Sequence, residues 1–212
     1  MSSVNPASLD ALLVELQRLP GVGPRSATRL AHHLLRVPET QALALADAIR
    51  TLRASIKPCS LCRAPAESDP CPLCANTDRD HAVLLVVETP RDLNAFEEAG
   101  TYRGLYYVLG ARLTPLEGGA DNTPDLEGLY ARAAQKDVRE VCLGTNPDLE
   151  GDGTALAILQ ALQSLASSSV GSEQRGLRVT RLARGLPTGG QIEYQNASVI
   201  ADAFDGRLDA YE

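Results

Sequence analysis

Four cysteines fall within sixteen consecutive positions, spaced as Cys59-x2-Cys62-x8-Cys71-x2-Cys74. No other feature of this 212-residue chain restricts its fold as tightly. Each C-x2-C turn sets two thiolates on one side of a tight bend, and two such turns complete a tetrahedron around Zn²⁺. The segment also holds Pro58, Pro65, Pro70 and Pro72. With little apolar material for a core, its folding free energy is expected to come from a bound metal. No fifth ligand accompanies the cluster, which points to one structural zinc per chain. A redox dithiol pair and an iron–sulfur cluster are the competing uses of the same thiols. The fifth cysteine, Cys142, lies in the apolar stretch Val141-Cys142-Leu143 and reads as an inert core thiol. The first residues, Met1-Ser-Ser-Val-Asn-Pro6, lack the basic stretch and apolar run of a secretory signal. No apolar run approaches the roughly 18 residues of a membrane span. A cytoplasmic protein with reduced thiols and no membrane partner is therefore expected.

Before the cysteines the pattern is helical. Leu9, Leu12, Leu13, Leu16 and Leu19 recur at helical spacing and stop at Pro20. Ala27, Leu30, Ala31, Leu34 and Leu35 repeat it, Pro38 breaks it, and residues 43–52 give a third helix. The first two helices are joined by Leu19-Pro-Gly-Val-Gly-Pro-Arg-Ser-Ala27, the pattern of a helix-hairpin-helix. Gly21 and Gly23 let the backbone turn tightly and bring N–H groups close to a phosphate. The next helix offers its N-terminus to the same anion, with Arg25 and Arg29 one turn apart on it. Such a device holds the DNA backbone without reading bases. A plain turn between two core helices is the alternative.

After the cysteines the texture changes. Residues 82–87 form a continuous apolar run, the mark of a strand buried on both faces. Further strands are expected at 105–109, 140–145 and 177–183, with helices at 90–99, 126–135 and 154–166 and an exposed loop at 167–175. Alternating strands and helices imply a mostly parallel α/β sheet. With aromatics at 4% and no Trp, its core must rest on Leu, Ala, Val and Ile. Glu88 ends the first strand, and Asp148, Glu150 and Asp152 follow another. Ligand sites of open parallel sheets lie at these strand ends, and oxygen ligands suit Mg²⁺. The other reading is an acidic loop favouring a helix N-terminus.

The net charge of −7 argues against a nucleic-acid partner only while it is summed over the chain. Residues 1–63 carry eight Lys/Arg and four Asp/Glu, a net of +4. The remaining twelve bases and 23 acids give −11. A basic head precedes an acidic body. One +4 head grips DNA weakly, because affinity scales with the number of phosphates neutralised, and several heads on one duplex would multiply the contacts.

Helix-hairpin-helix, four-cysteine knuckle and acidic α/β domain, in this order, resemble the bacterial recombination-mediator family RecR. The resemblance extends to Thr101-Tyr-Arg-Gly-Leu-Tyr-Tyr-Val-Leu-Gly110, Thr114-Pro-Leu-Glu-Gly118, Glu150-Gly-Asp-Gly-Thr-Ala155 and Arg184-Gly-Leu-Pro-Thr-Gly-Gly-Gln-Ile-Glu-Tyr194. It implies an α+β multidomain chain: a helix-hairpin-helix head at 1–56 and a four-Cys zinc finger at 57–80. A Toprim α/β domain with a mostly parallel sheet follows at 81–183, then a C-terminal extension at 184–212. It implies a homotetrameric ring on double-stranded or gapped and single-stranded DNA. It further implies partnership with RecO and RecF to load RecA at single-stranded gaps. The family's hairpin bases map onto Arg25 and Arg29, and its Toprim acids onto Glu88, Asp148 and Glu150. Asn146, however, stands at the first Asp position of the catalytic Toprim pattern, Tyr107 where His is expected, and Asn196 where Asp is usual. No G-x-x-x-x-G-K-[ST] loop is present, so direct ATP use finds no support. The expectation is a non-enzymatic mediator. The alternative is a Mg²⁺-dependent Toprim nuclease or phosphotransferase using Glu88, Asp148 and Glu150.

Overall fold

Helical leucine periodicity becomes three helices in the N-terminal unit, Met1–Ile56: α1 (Ala7–Gln17), α2 (Pro24–Arg36) and α3 (Glu39–Ser55). A computed structural model of the chain describes residues 5–111, 124–168 and 176–207. Pro24 opens α2 at its first position, where the missing N–H has no intrahelical partner to lose. Ala27 and Ala31, one turn apart on α2, are the fully buried residues among those described in this unit. Helix α3 is longer than the expected 43–52. Its Leu43, Leu45, Ile49 and Leu52 remain about half exposed.

The second unit, Lys57–Glu212, is organised by a four-stranded parallel sheet of order β4-β3-β5-β6. The strands are β3 (Asp80–Val87), β4 (Gly104–Val108), β5 (Glu140–Gly144) and β6 (Arg178–Arg181). The helices between them are α5 (Pro90–Ala99), α6 (Leu126–Ala133) and α7 (Leu149–Ser168). Period-2 alternation divides β3 between two cores. Leu84 and Val86 join Leu129 of α6 and Ile158 and Leu162 of α7 on one face. Leu85 and Val87 face Leu93 of α5 on the other. Buried side chains of this size contribute about 1.5–3 kcal/mol each. Helix α5 begins with a capping box between Thr89 and Asp92 and ends at left-handed Gly100.

The cysteine segment belongs to this sheet, where sequence reasoning expects a part without a core. A two-residue hairpin, β1 (Lys57–Pro58) with β2 (Pro65–Ala66), brackets the first pair of cysteines. Helix α4 (Pro72–Ala75) carries Cys74. All four cysteines are buried in the same cluster as Leu85, Val87, Tyr106 and Val108. Edge strand β4 is tied to its surroundings through its backbone. The Val108 N–H donates to the Cys62 carbonyl at 2.8 Å, Arg79 donates to the Gly104 carbonyl at 2.9 Å, and the Tyr102 hydroxyl to the Leu105 carbonyl at 2.8 Å.

Helix α7 starts at Leu149, five residues before the expected position, and runs through Ser167 and Ser168, where a loop is expected from the sequence. Residues 169–175 and the Thr114–Gly118 motif lie outside the described residues. Tyr107 is buried, and its hydroxyl donates to the Asp125 carbonyl at 3.2 Å. In the C-terminal extension, α8 (Ala197–Asp205) is capped by Asn196, which accepts from the Val199 N–H at 2.9 Å, the service an Asp would render. Among the described residues no helix is long and apolar enough to cross a membrane.

Gly104 admits no side chain, since a Cβ there would lie 2.2 Å from the Tyr102 hydroxyl and 2.7 Å from the Val83 carbonyl oxygen. Gly104→Ala is expected to destabilise the second unit by about 1–3 kcal/mol, measured by urea unfolding against the parent chain.

Candidate functional site

The four cysteine Sγ atoms lie within 4.8 Å of one another, and the pair Cys62–Cys71 is 3.5 Å apart. A tetrahedral Zn²⁺ with Zn–S bonds of about 2.3 Å needs edges of roughly 3.8 Å. Backbone N–H groups already point at the sulfurs, from Cys71 to Cys59 Sγ at 3.3 Å and from Cys74 to Cys71 Sγ at 3.5 Å. Asp69 pins the two knuckles together by accepting from the Ser60 N–H and hydroxyl, both at 2.8 Å. The Cys74 thiol donates to Cys62 and pulls its pKa down to about 5, and the same bond pushes Cys74 far up. Burial pushes Cys71 up as well. Hydrogen bonding thus stabilises one thiolate, while further negative charge calls for a soft cation. Four convergent sulfurs fit Zn²⁺.

In the hairpin, Gly21 takes φ +78°, a left-handed conformation that favours glycine. Extended Gly23 precedes α2 and no side chain caps that terminus. Arg25 and Arg29 are both exposed on the helix that follows. Sequence reasoning passes over three neighbours. Arg29, His32, His33 and Arg36 line one concavity on α2. Their spacing of three, four and seven residues is the available signal.

The acids behave differently. Glu88 follows β3 and Asn146 follows β5, adjacent strands whose chains continue to opposite sides of the sheet, the position where parallel sheets form a crevice. Glu88 is fully buried. The Asn146 backbone N–H donates to Glu88 Oε1 at 2.8 Å, and the Asn146 amide donates to Oε2 at 2.5 Å. Asp148 is exposed and accepts from the Gly151 N–H at 2.8 Å, and Glu150 sits in the first turn of α7. Among the described residues, the four cysteines are the group of three or more ligand-type side chains whose ligand atoms converge within 4.8 Å. Glu88, Asp148 and Glu150 are not gathered in this way.

Three family models match the chain. One, described as RecR, helix-hairpin-helix, covers residues 9–53. A second, the four-cysteine zinc finger domain of RecR, covers residues 56–76, and a third, Toprim domain, covers residues 82–183. The chain is 45% identical over 202 residues to the recombination protein RecR of Roseiflexus sp. (strain RS-1), spanning 95% of this chain and 94% of that protein. It is 43% identical to the RecR of Moorella thermoacetica, spanning 95% and 96%. With the RecR of Rhodopirellula baltica it shares 40% identity over 97% of this chain and 98% of that one. The chain belongs to the RecR family.

Within this RecR-family chain, Asp152 has a different task from the one its motif suggests. Its carboxylate pairs with Arg181 at the end of β6 and with Arg184 just beyond, joining α7 to the start of the C-terminal extension. Arg181, then Arg184, holds its carboxyl below the usual range. The folded state therefore favours ionised Asp152. Its contribution is complete above the ordinary aspartate pKa of about 3.9 and is lost as pH falls through the lower folded value. Because the pair is partly exposed, Asp152→Asn is expected to remove no more than about 1 kcal/mol. Urea unfolding should show that gap equally at about pH 7 and pH 5, and show it shrinking below about pH 4.

Proposed function

We propose that this RecR-family chain is a non-enzymatic DNA-binding mediator of recombinational repair. The observation that carries the reading is the hairpin, where left-handed Gly21 and an uncapped α2 precede exposed Arg25 and Arg29 in a segment of net positive charge. Helix N–H groups and two guanidinium groups on one side favour a phosphate backbone. Gly21 and Gly23 permit the approach, and Arg25 and Arg29 supply the charge. The concavity bordered by Arg29, His32, His33 and Arg36 extends the basic surface along the helix.

The parts then divide the work along the proposed boundaries. Residues 1–56 contact double-stranded, gapped or single-stranded DNA, and residues 57–80 hold one structural zinc through Cys59, Cys62, Cys71 and Cys74. Residues 81–183 form the Toprim body and 184–212 the extension. The partners are RecO and RecF, and the outcome is RecA loading at single-stranded gaps in the cytoplasm. Self-assembly to a homotetrameric ring is part of the same reading. It is supported by the half-exposed leucines of α3 and by Ile192, Tyr194 and Phe204 of the extension, all more than 60% exposed. A Mg²⁺-dependent nuclease remains the second reading, since acids stand at Glu88, Asp148 and Glu150. Cleavage of gapped DNA that requires Mg²⁺ and vanishes in Glu88→Ala would replace the first reading with it.

Replacing Arg25 and Arg29 together by Ala is expected to weaken DNA binding regardless of sequence and to reduce the slope of log affinity against log salt by roughly 2 per chain. Fluorescence anisotropy over a salt series measures both quantities, and unchanged affinity would make the hairpin a structural turn only. Zinc removal tests the second unit. A strong chelator should release one zinc per chain and lower the thermal midpoint, and single Cys→Ser changes should do the same. Metal analysis beside calorimetry reads this, and a zinc-free chain of unchanged stability would refute the role.

A further inference from the structure

The Toprim likeness suggests a divalent cation beside Glu88, and the residues present do not suit one. Mg²⁺ demands hard oxygen ligands in near-octahedral order. Here each Glu88 oxygen accepts an N–H from Asn146, at 2.8 and 2.5 Å. Asp148 is turned to the Gly151 N–H at 2.8 Å. Gly151 approaches closely as well, since a Cβ there would lie 2.1 Å from the Asn146 carbonyl oxygen and 2.9 Å from Glu88 Oε1. The Thr145 hydroxyl, also buried, donates to the Gly151 carbonyl at 2.9 Å. An aspartate in place of Asn146 would instead oppose one carboxylate to another in a buried site, an arrangement that needs a proton or a cation between them.

We infer that Asn146 replaces the divalent cation as the partner of buried Glu88, so that the chain from Thr145 to Gly151 is built without metal. Glu88 is then a positioning residue. Its carboxylate anchors the link between β5 and α7, and that anchor sets the outward pose of Asp148 and Leu149, the latter 90% exposed.

The pair can be reversed chemically. In E88Q/N146D the side-chain amide and carboxylate exchange places, while the backbone N–H of residue 146 still finds a carbonyl oxygen on the side chain of residue 88. Thermal unfolding of the full zinc-loaded chain, with and without millimolar Mg²⁺ at matched ionic strength, reads the outcome. The parent chain should show midpoints within about 1 °C of each other in the two buffers. N146D should fall by about 10 °C without Mg²⁺ and regain at least half of that with it, a size set by an uncompensated buried charge. The reversed pair should return close to the parent midpoint and ignore Mg²⁺. Should N146D fail to fold, the parent and the reversed pair decide the matter alone. The inference is overturned by a Mg²⁺-dependent rise in the parent that disappears in Glu88→Gln. It is equally overturned by an N146D chain that is as stable as the parent without metal or unresponsive to Mg²⁺, or by a reversed pair that fares no better than N146D.

Discussion

From Leu84 to Val87 strand β3 is buried on both faces, and the second unit is arranged around that fact. Its alternating side chains feed two separate cores, α6 and α7 on one side and α5 with the cysteine knuckles on the other. The strand also ends where the chemistry begins, with Glu88 directly after Val87. A shift of β3 by one residue would exchange its two faces and carry Glu88 away from Asn146. Register, packing and the acidic crevice are thus one constraint.

Two kinds of electrostatic problem are solved in this unit by different means. The thiol cluster gathers charge that hydrogen bonds satisfy only in part, with Cys62 stabilised as a thiolate and Cys71 and Cys74 pushed up. Such a donor set suits a soft cation. At Glu88, a buried carboxylate accepts two N–H groups from one residue, which offsets part of the cost of burying it. The contrast lies in donor chemistry: sulfurs converge in the first case, amides in the second.

Much of this can be read from the sequence, for reasons that differ by element. Helix α5 is legible over Pro90–Ala99, because Thr89, Asp92 and Gly100 mark its ends with local chemistry. The knuckles are legible because thiol spacing is itself local. The start of helix α7 is not, since Glu150-Gly-Asp-Gly153 has poor helix propensity and the early start relies on Asp148 and Thr145 bonding to Gly151. Elements β1, β2 and α4 are two to four residues long and are shaped by the cysteines, so periodicity cannot show them. The Glu88–Asn146 contact spans 58 positions. It depends on the pairing of Val87 with Gly144 in neighbouring strands, which no local pattern encodes. The packing of the knuckles onto the sheet is hidden for the same reason.

The bonds made by β4 to Cys62 and Arg79 bear on how such chains can and cannot meet. An open edge strand is a template on which another chain can add a strand of its own. Here the Cys62 carbonyl and the Arg79 guanidinium occupy the Val108 N–H and the Gly104 carbonyl, outward backbone groups that a visiting strand would need. The cysteine segment therefore also guards part of the sheet's margin. Strand-to-strand pairing of two copies at β4 is thereby disfavoured, because the backbone groups it would use are already engaged.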